Sequence, residues 1–128
     1  MSQTNTTTAA ANTNAFPTVQ FKNWTCSVGV ARYSNGRLAL QLTSAVEDLE
    51  DDLYLGTPIA TATINLPNDE QADNEVFIKD YSENEGMYDA LFDAGYVSEI
   101  TREVSSGFVV VPVAEKTELL ERLIAAKG

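Results

Sequence analysis

Two rows of alternating apolar residues flank Ser34-Asn35-Gly36: Trp24, Cys26, Val28 and Val30 before it, and Leu38, Leu40 and Leu42 after it. Alternation with period two marks a strand with one covered face, and Asn-Gly between two such runs marks a tight reversal. Loop length then sets the register. A two-residue loop pairs Ser34 with Arg37 and throws the two apolar rows onto opposite faces. A three-residue loop pairs Tyr33 with Arg37, Val30 with Leu40 and Val28 with Leu42, so both rows share one face. Gly36 then takes the left-handed position of a bulged turn. Because a one-residue slip exposes a whole apolar row, the three-residue loop is expected, in a hairpin running from Val19 to Leu42.

The remaining pattern continues in short segments. Ile59 to Leu66, "IATATINL", reads as a strand closed by Pro67 and the polar stretch Asn68 to Asn74; Glu75 to Lys79 is a short strand. Tyr96 to Val104 and Gly107 to Val113 form a second hairpin through Ser105-Ser106. "GFVVVPV" is apolar on both faces, which suits an inner strand with Pro112 near its end. Helices are expected over Ser82–Ala94 and Glu115–Ala126; in the second, Leu119, Leu120, Leu123 and Ile124 form one stripe and Glu118 is spaced to pair with Arg122. The fold class is therefore α+β: an antiparallel sheet of about five or six strands with two helices packed on one face. A chain of 128 residues supports one core. Residues 1–18, a Thr/Asn/Ala tract, read as a flexible polar amino-terminal arm or one that orders on a partner, and residues 19–128 as a single domain.

Charge excludes several functions. The net charge is −11, and it is concentrated: residues 46–100 hold fifteen acids against Lys79 alone, whereas residues 1–45 hold three bases and no acid. A surface of that sign repels phosphate backbones, so direct nucleic-acid binding is not expected. No apolar run reaches the ~18 residues that span a bilayer, and Met1 to Thr18 lacks the charged and apolar regions of a secretory signal. With a single cysteine, the expected location is the cytoplasm. No histidine is present, which removes histidine-based nucleophile activation and histidine-ligated zinc. Cys26 sits in the apolar alternation, where a buried structural thiol fits better than an unactivated nucleophile.

Two acidic stretches are candidates for function. In "SAVEDLEDDLYLGTP", Glu47, Asp48, Glu50, Asp51 and Asp52 alternate with Leu49, Leu53 and Leu55. This is either a solvated loop crossing the sheet or an acidic patch that imitates a phosphate backbone. The other stretch, "FIKDYSENEGMYDALFDAG", reads as a helix start: Ser82 and Glu85 have the spacing of a capping box, and Gly95 is a stop signal. The calcium-loop alternative places Asp80, Ser82 and Asn84 at the first, third and fifth positions. It fails where the template needs Gly and a bidentate Glu, because those positions hold Glu85 and Leu91. A phosphate site fails because Asp80, Glu83 and Glu85 repel the anion. Gly86 inside a first turn is costly, and close approach of another backbone is the expected reason.

The runs "NGRLALQL", "GTPIATATINLP", "VFIKDYSENEGM" with Leu91 and Gly95, and "SGFVVVPV", in that order, resemble the bacterial family known as domain of unknown function 4313, over roughly residues 33–113. The resemblance implies a small domain of bacteria and their phages or plasmids, with no established activity and no catalytic residues to carry over. Taken with the acidic middle, the absence of histidine and the absence of catalytic spacing, it leads to the expectation of a non-enzymatic binding protein of a phage or other mobile element, acting on a protein partner with a basic surface, without a cofactor, metal or membrane. An inhibitor of a host nucleic-acid-handling defence enzyme, of anti-CRISPR or antirestriction type, is the specific form. The alternatives are a phage structural or decoration protein that uses its amino-terminal arm in the virion, and a carboxylate-metal-dependent enzyme. No acid pair has a spacing that sets both members in an apolar cleft, so catalysis is not expected.

Overall fold

The computed structural model describes residues 16–127. Most of the expected arm, residues 1–15, lies outside the described residues. Its last part is joined to the fold: Phe16 packs against the core, and the Pro17 carbonyl accepts a hydrogen bond from the Tyr96 hydroxyl.

The chain is α+β, with two antiparallel sheets and two helices. In chain order the strands are β1 (Val19–Phe21), β2 (Trp24–Arg32), β3 (Leu38–Ser44), β4 (Pro58–Thr61) and β5 (Glu75–Phe77). Helix α1 (Met87–Asp93) follows, then β6 (Val97–Ser106), β7 (Val109–Lys116) and α2 (Glu118–Lys127). The first sheet has the order β1-β2-β3-β4 and the second β5-β7-β6.

The hairpin register is the one that keeps both apolar rows on one face. Val28 pairs with Leu42 and Val30 with Leu40, and the Tyr33 amide bonds to the Arg37 carbonyl at 2.8 Å. Gly36 takes φ 86°. The expected first strand is itself divided. Lys22 and Asn23 make a two-residue reversal that pairs Phe21 with Trp24, with Lys22 at φ 56°, and Trp24 stands 39% exposed rather than in the apolar row.

The expected single sheet of five or six strands is instead two sheets, and Thr63 explains the break. Its hydroxyl, not its backbone, meets the Leu40 amide at 3.2 Å, while the backbone turns to pair with Ile78 in a lone antiparallel bridge. The strand expected over residues 59–66 therefore ends at Thr61 and hands over to the second sheet. In that sheet β7 is central, as its two apolar faces require. The turn is Gly107-Phe108, with Gly107 at φ 61°, not Ser105-Ser106.

Alternation along β5, β6 and β7 serves two apolar clusters. Val76, Ile78, Val97 and Ala114 join the larger one, with residues of the first sheet and of both helices. Phe77, Val104, Val111 and Val113 line a smaller one, covered by Ile64, Leu66 and Tyr81. Burial of these side chains at about 25 cal/mol per Å² is the main favourable contribution to the fold. Cys26 lies fully inside the larger cluster, and burial pushes its thiol up.

The first helix begins later than its sequence suggests. Ser82–Asn84 form a short 3-10 turn, and α1 starts at Met87 with Gly86 as its cap. Ser82 does not act as the cap: at φ 56° it opens the 3-10 turn, five positions before α1 begins. The Glu85 amide bonds to the Ser82 carbonyl, not to its hydroxyl. The cap is supplied by Asp80, whose Oδ1 accepts from the Gly86 and Tyr88 amides, each at 3.0 Å. Gly86 is required for its φ of 96° and not for close packing, since a Cβ there meets nothing within 4 Å. Gly95 does end the helix: at φ 90° it donates to Phe92, while Tyr96 donates to Leu91, the paired bonds of a Schellman stop. In α2, Leu120 and Leu123 are buried as the stripe demands. Glu118 and Arg122 are not among the ion pairs of the described residues.

Candidate functional site

The link between β3 and β4 carries Glu47, Asp48, Glu50, Asp51 and Asp52, and its backbone is pinned from end to end. At the base, the Ser44 amide bonds to the Thr57 carbonyl and the Gly56 amide to the Ser44 carbonyl, both at 2.8 Å. At the tip, Asp48 and Leu53 exchange amide-carbonyl bonds of 2.8 Å, and the Asp48 carboxylate accepts from the Glu50 amide at 3.1 Å. Residues Leu49–Asp51 make one 3-10 turn, which Asp52 closes in the left-handed region at φ 55°. Thr57 closes the return limb, its hydroxyl meeting the Tyr54 carbonyl at 2.6 Å.

This backbone network holds the side chains outward. The five acids are exposed, and none is in an ion pair among the described residues. Four apolar side chains share the loop with them: Val46, Leu49, Tyr54 and Leu55 are 42, 64, 53 and 68% exposed. Acidic and apolar side chains are thus exposed together along one short link. The base of the loop lies beside Thr25, whose carbonyl accepts from the Ala45 amide, so the half-exposed Trp24 adjoins it in the chain.

The second acidic stretch is used differently. Asp80 caps α1, and Glu83 pairs with Lys79 at 2.7 Å, an attraction that holds the Glu83 carboxyl below its usual range. Asn84, the other residue of the calcium template, is buried and donates to the Thr61 carbonyl at 2.7 Å. Lys22, from the β1–β2 turn, donates to the Glu83 carbonyl at 2.7 Å. The segment thus ties β4 to the turn beyond β1, the two margins of the first sheet. Ser82 and Glu85, expected as capping partners, are exposed, and their one mutual bond is the backbone bond from the Glu85 amide to the Ser82 carbonyl that closes the 3-10 turn.

The sequence reading missed Asp80 as the cap, and Val46 and Tyr54 as members of the exposed apolar set.

The class of protein defined by these features is an antiparallel α+β domain with an exposed acidic-apolar loop braced by its own hydrogen bonds. No family model, curated protein or solved structure matches the chain.

Proposed function

We propose that the protein is a non-enzymatic binding protein whose β3–β4 loop docks on a basic surface of a partner protein. One observation carries the reading: five exposed carboxylates, in no ion pair among the described residues, and four exposed apolar side chains stand on a backbone held by its own hydrogen bonds. A pre-fixed loop loses little conformational entropy on docking, so its contacts convert more fully into affinity. Its carboxylates steer the encounter, and Leu49, Tyr54 and Leu55 supply the area that is dehydrated on contact. The specific form of the proposal is inhibition of a nucleic-acid-handling defence enzyme, with the loop occupying a channel built to hold phosphates.

The test compares the protein with a Glu47→Gln, Glu50→Gln, Asp51→Asn, Asp52→Asn variant as bait in bacterial lysate, at low and high salt. Asp48 is left intact because it braces the loop. Capture of a nucleic-acid-binding enzyme by the parent at low salt, lost in the variant, is the expected result. A partner held equally by both baits contradicts the proposal and turns attention to the amino-terminal arm.

A further inference from the structure

At the other end of β2 from the acidic loop, a cleft of about 240 Å³ opens between the β2–β3 turn, the 71–75 segment and the end of β7. Arg32, Arg37 and Lys116 all line it, three of the eight basic residues in a chain with nineteen acids. Arg32 and Lys116 are in no ion pair among the described residues. Of the two acids in the lining, Glu75 is already neutralised by Arg102, leaving Asp73 as the one unpaired carboxylate against three cations.

Arg37 gives the cleft a fixed element. Its Nη1 donates to the Leu66 carbonyl and its Nη2 to the Asp69 carbonyl, each at 2.7 Å. Two of its five N–H groups are spent on orientation, and three remain. A fixed guanidinium in a cleft also lined by Arg32 and Lys116 suits the oxygens of a phosphate or similar oxyanion. Size and lining limit the ligand further. The volume falls below the ~300 Å³ at which pockets for larger ligands begin, and the lining includes no aromatic ring on which a base could stack.

We infer that this cleft binds a small phosphate-type oxyanion through Arg32, Arg37 and Lys116, independently of the acidic loop. The anion is either free phosphate or the phosphate of a small monoester.

The experiment is a titration of the isotopically labelled full-length protein with inorganic phosphate and, separately, with phosphoserine, followed by amide resonances at matched ionic strength against chloride. Saturable shifts confined to Arg32, Gly36, Ala72 and Lys116 are expected. Arg32→Ala and Lys116→Ala should each weaken binding by about tenfold or more, and Asp73→Asn should strengthen it by about threefold. Arg122→Ala, on the exposed side of α2, should leave it unchanged. Equal affinities assign free phosphate as the ligand, and tighter phosphoserine binding assigns a monoester. Shifts no larger than those from chloride, or undiminished binding in both Arg32→Ala and Lys116→Ala, overturn the inference.

Discussion

Arg102 grips Glu75 across the central strand β7: Nε meets Oε2 at 3.0 Å and Nη2 meets Oε1 at 2.8 Å. The two residues belong to β6 and β5, so the pair ties together strands that do not touch. Arg102 also donates to the Glu70 carbonyl at 2.8 Å, and its guanidinium lies 5.6 Å from the Phe77 ring centre. Arg37 approaches the same ring at 5.9 Å while holding the Leu66 and Asp69 carbonyls. Two arginines, one from the β2–β3 turn and one from β6, therefore clamp the 66–75 link over the smaller apolar cluster.

That clamp has a pH signature. The Arg102 hydrogen bonds hold the Glu75 carboxyl well below its usual range, at about 2. A depressed folded-state value means that its stabilisation is present above the ordinary carboxylate range, near 4.5, and is lost as pH falls toward about 2. Arg102 is partly open to water, so the whole contribution should be about 1 kcal/mol. Glu75→Gln should shrink the stability difference between pH 6 and pH 3 in urea melts, relative to the parent.

The α1 cap is tested by a pair of substitutions. Asp80→Ala strands the Gly86 and Tyr88 amides and should cost about 1–2 kcal/mol. Ser82→Ala, at a residue without a cap bond, should stay within about 0.5 kcal/mol. Denaturant melts that rank them the other way would contradict the assignment of Asp80 as the cap.

Gly86 should tolerate nothing with a Cβ, for backbone reasons alone. Its φ of 96° strains any L side chain although the space around it is empty. Gly86→Ala should therefore cost about 1–3 kcal/mol. Gly29→Ala, at an ordinary φ with its nearest contact at 3.6 Å, should cost less. Thermal melts of the two variants provide the comparison.

At high pH the sensitive group is Tyr96. It is fully buried, and desolvation pushes its hydroxyl up to about 12 from an ordinary 10. A raised folded-state value gives stability that is full below about 10 and declines as pH rises through about 12. Tyr96→Phe should remove that alkaline loss while costing about 1 kcal/mol at neutral pH, since the Pro17 carbonyl loses its donor. Melts at pH 7 and pH 11 separate the two effects.

The parts of this architecture that were legible in the sequence are local. Side-chain alternation and loop length together determine how Val28 meets Leu42, and a Gly after an apolar stripe ends α1 at Gly95. The parts that were not legible depend on contacts between distant segments. Ser82 and Glu85 have capping-box spacing, but the left-handed turn at Ser82 and the reach of Asp80 over six residues to Gly86 override it. The division into two sheets turns on one Thr63 hydroxyl meeting an amide twenty-three residues away. The acidic loop was visible as composition, but its internal hydrogen bonding was not, because those bonds join its two limbs and its base rather than following a sequence period.

The most direct test of the account is the association rate with the captured partner, measured against salt for the parent and for the Glu47→Gln, Glu50→Gln, Asp51→Asn, Asp52→Asn variant. Steering by exposed carboxylates acts on the encounter and is screened over ~10 Å at 0.1 M salt. The account predicts a parent rate about tenfold or more above the variant at low salt, converging as salt rises, with unchanged thermal stability. Equal rates at low salt would contradict it and leave the loop a solvated link.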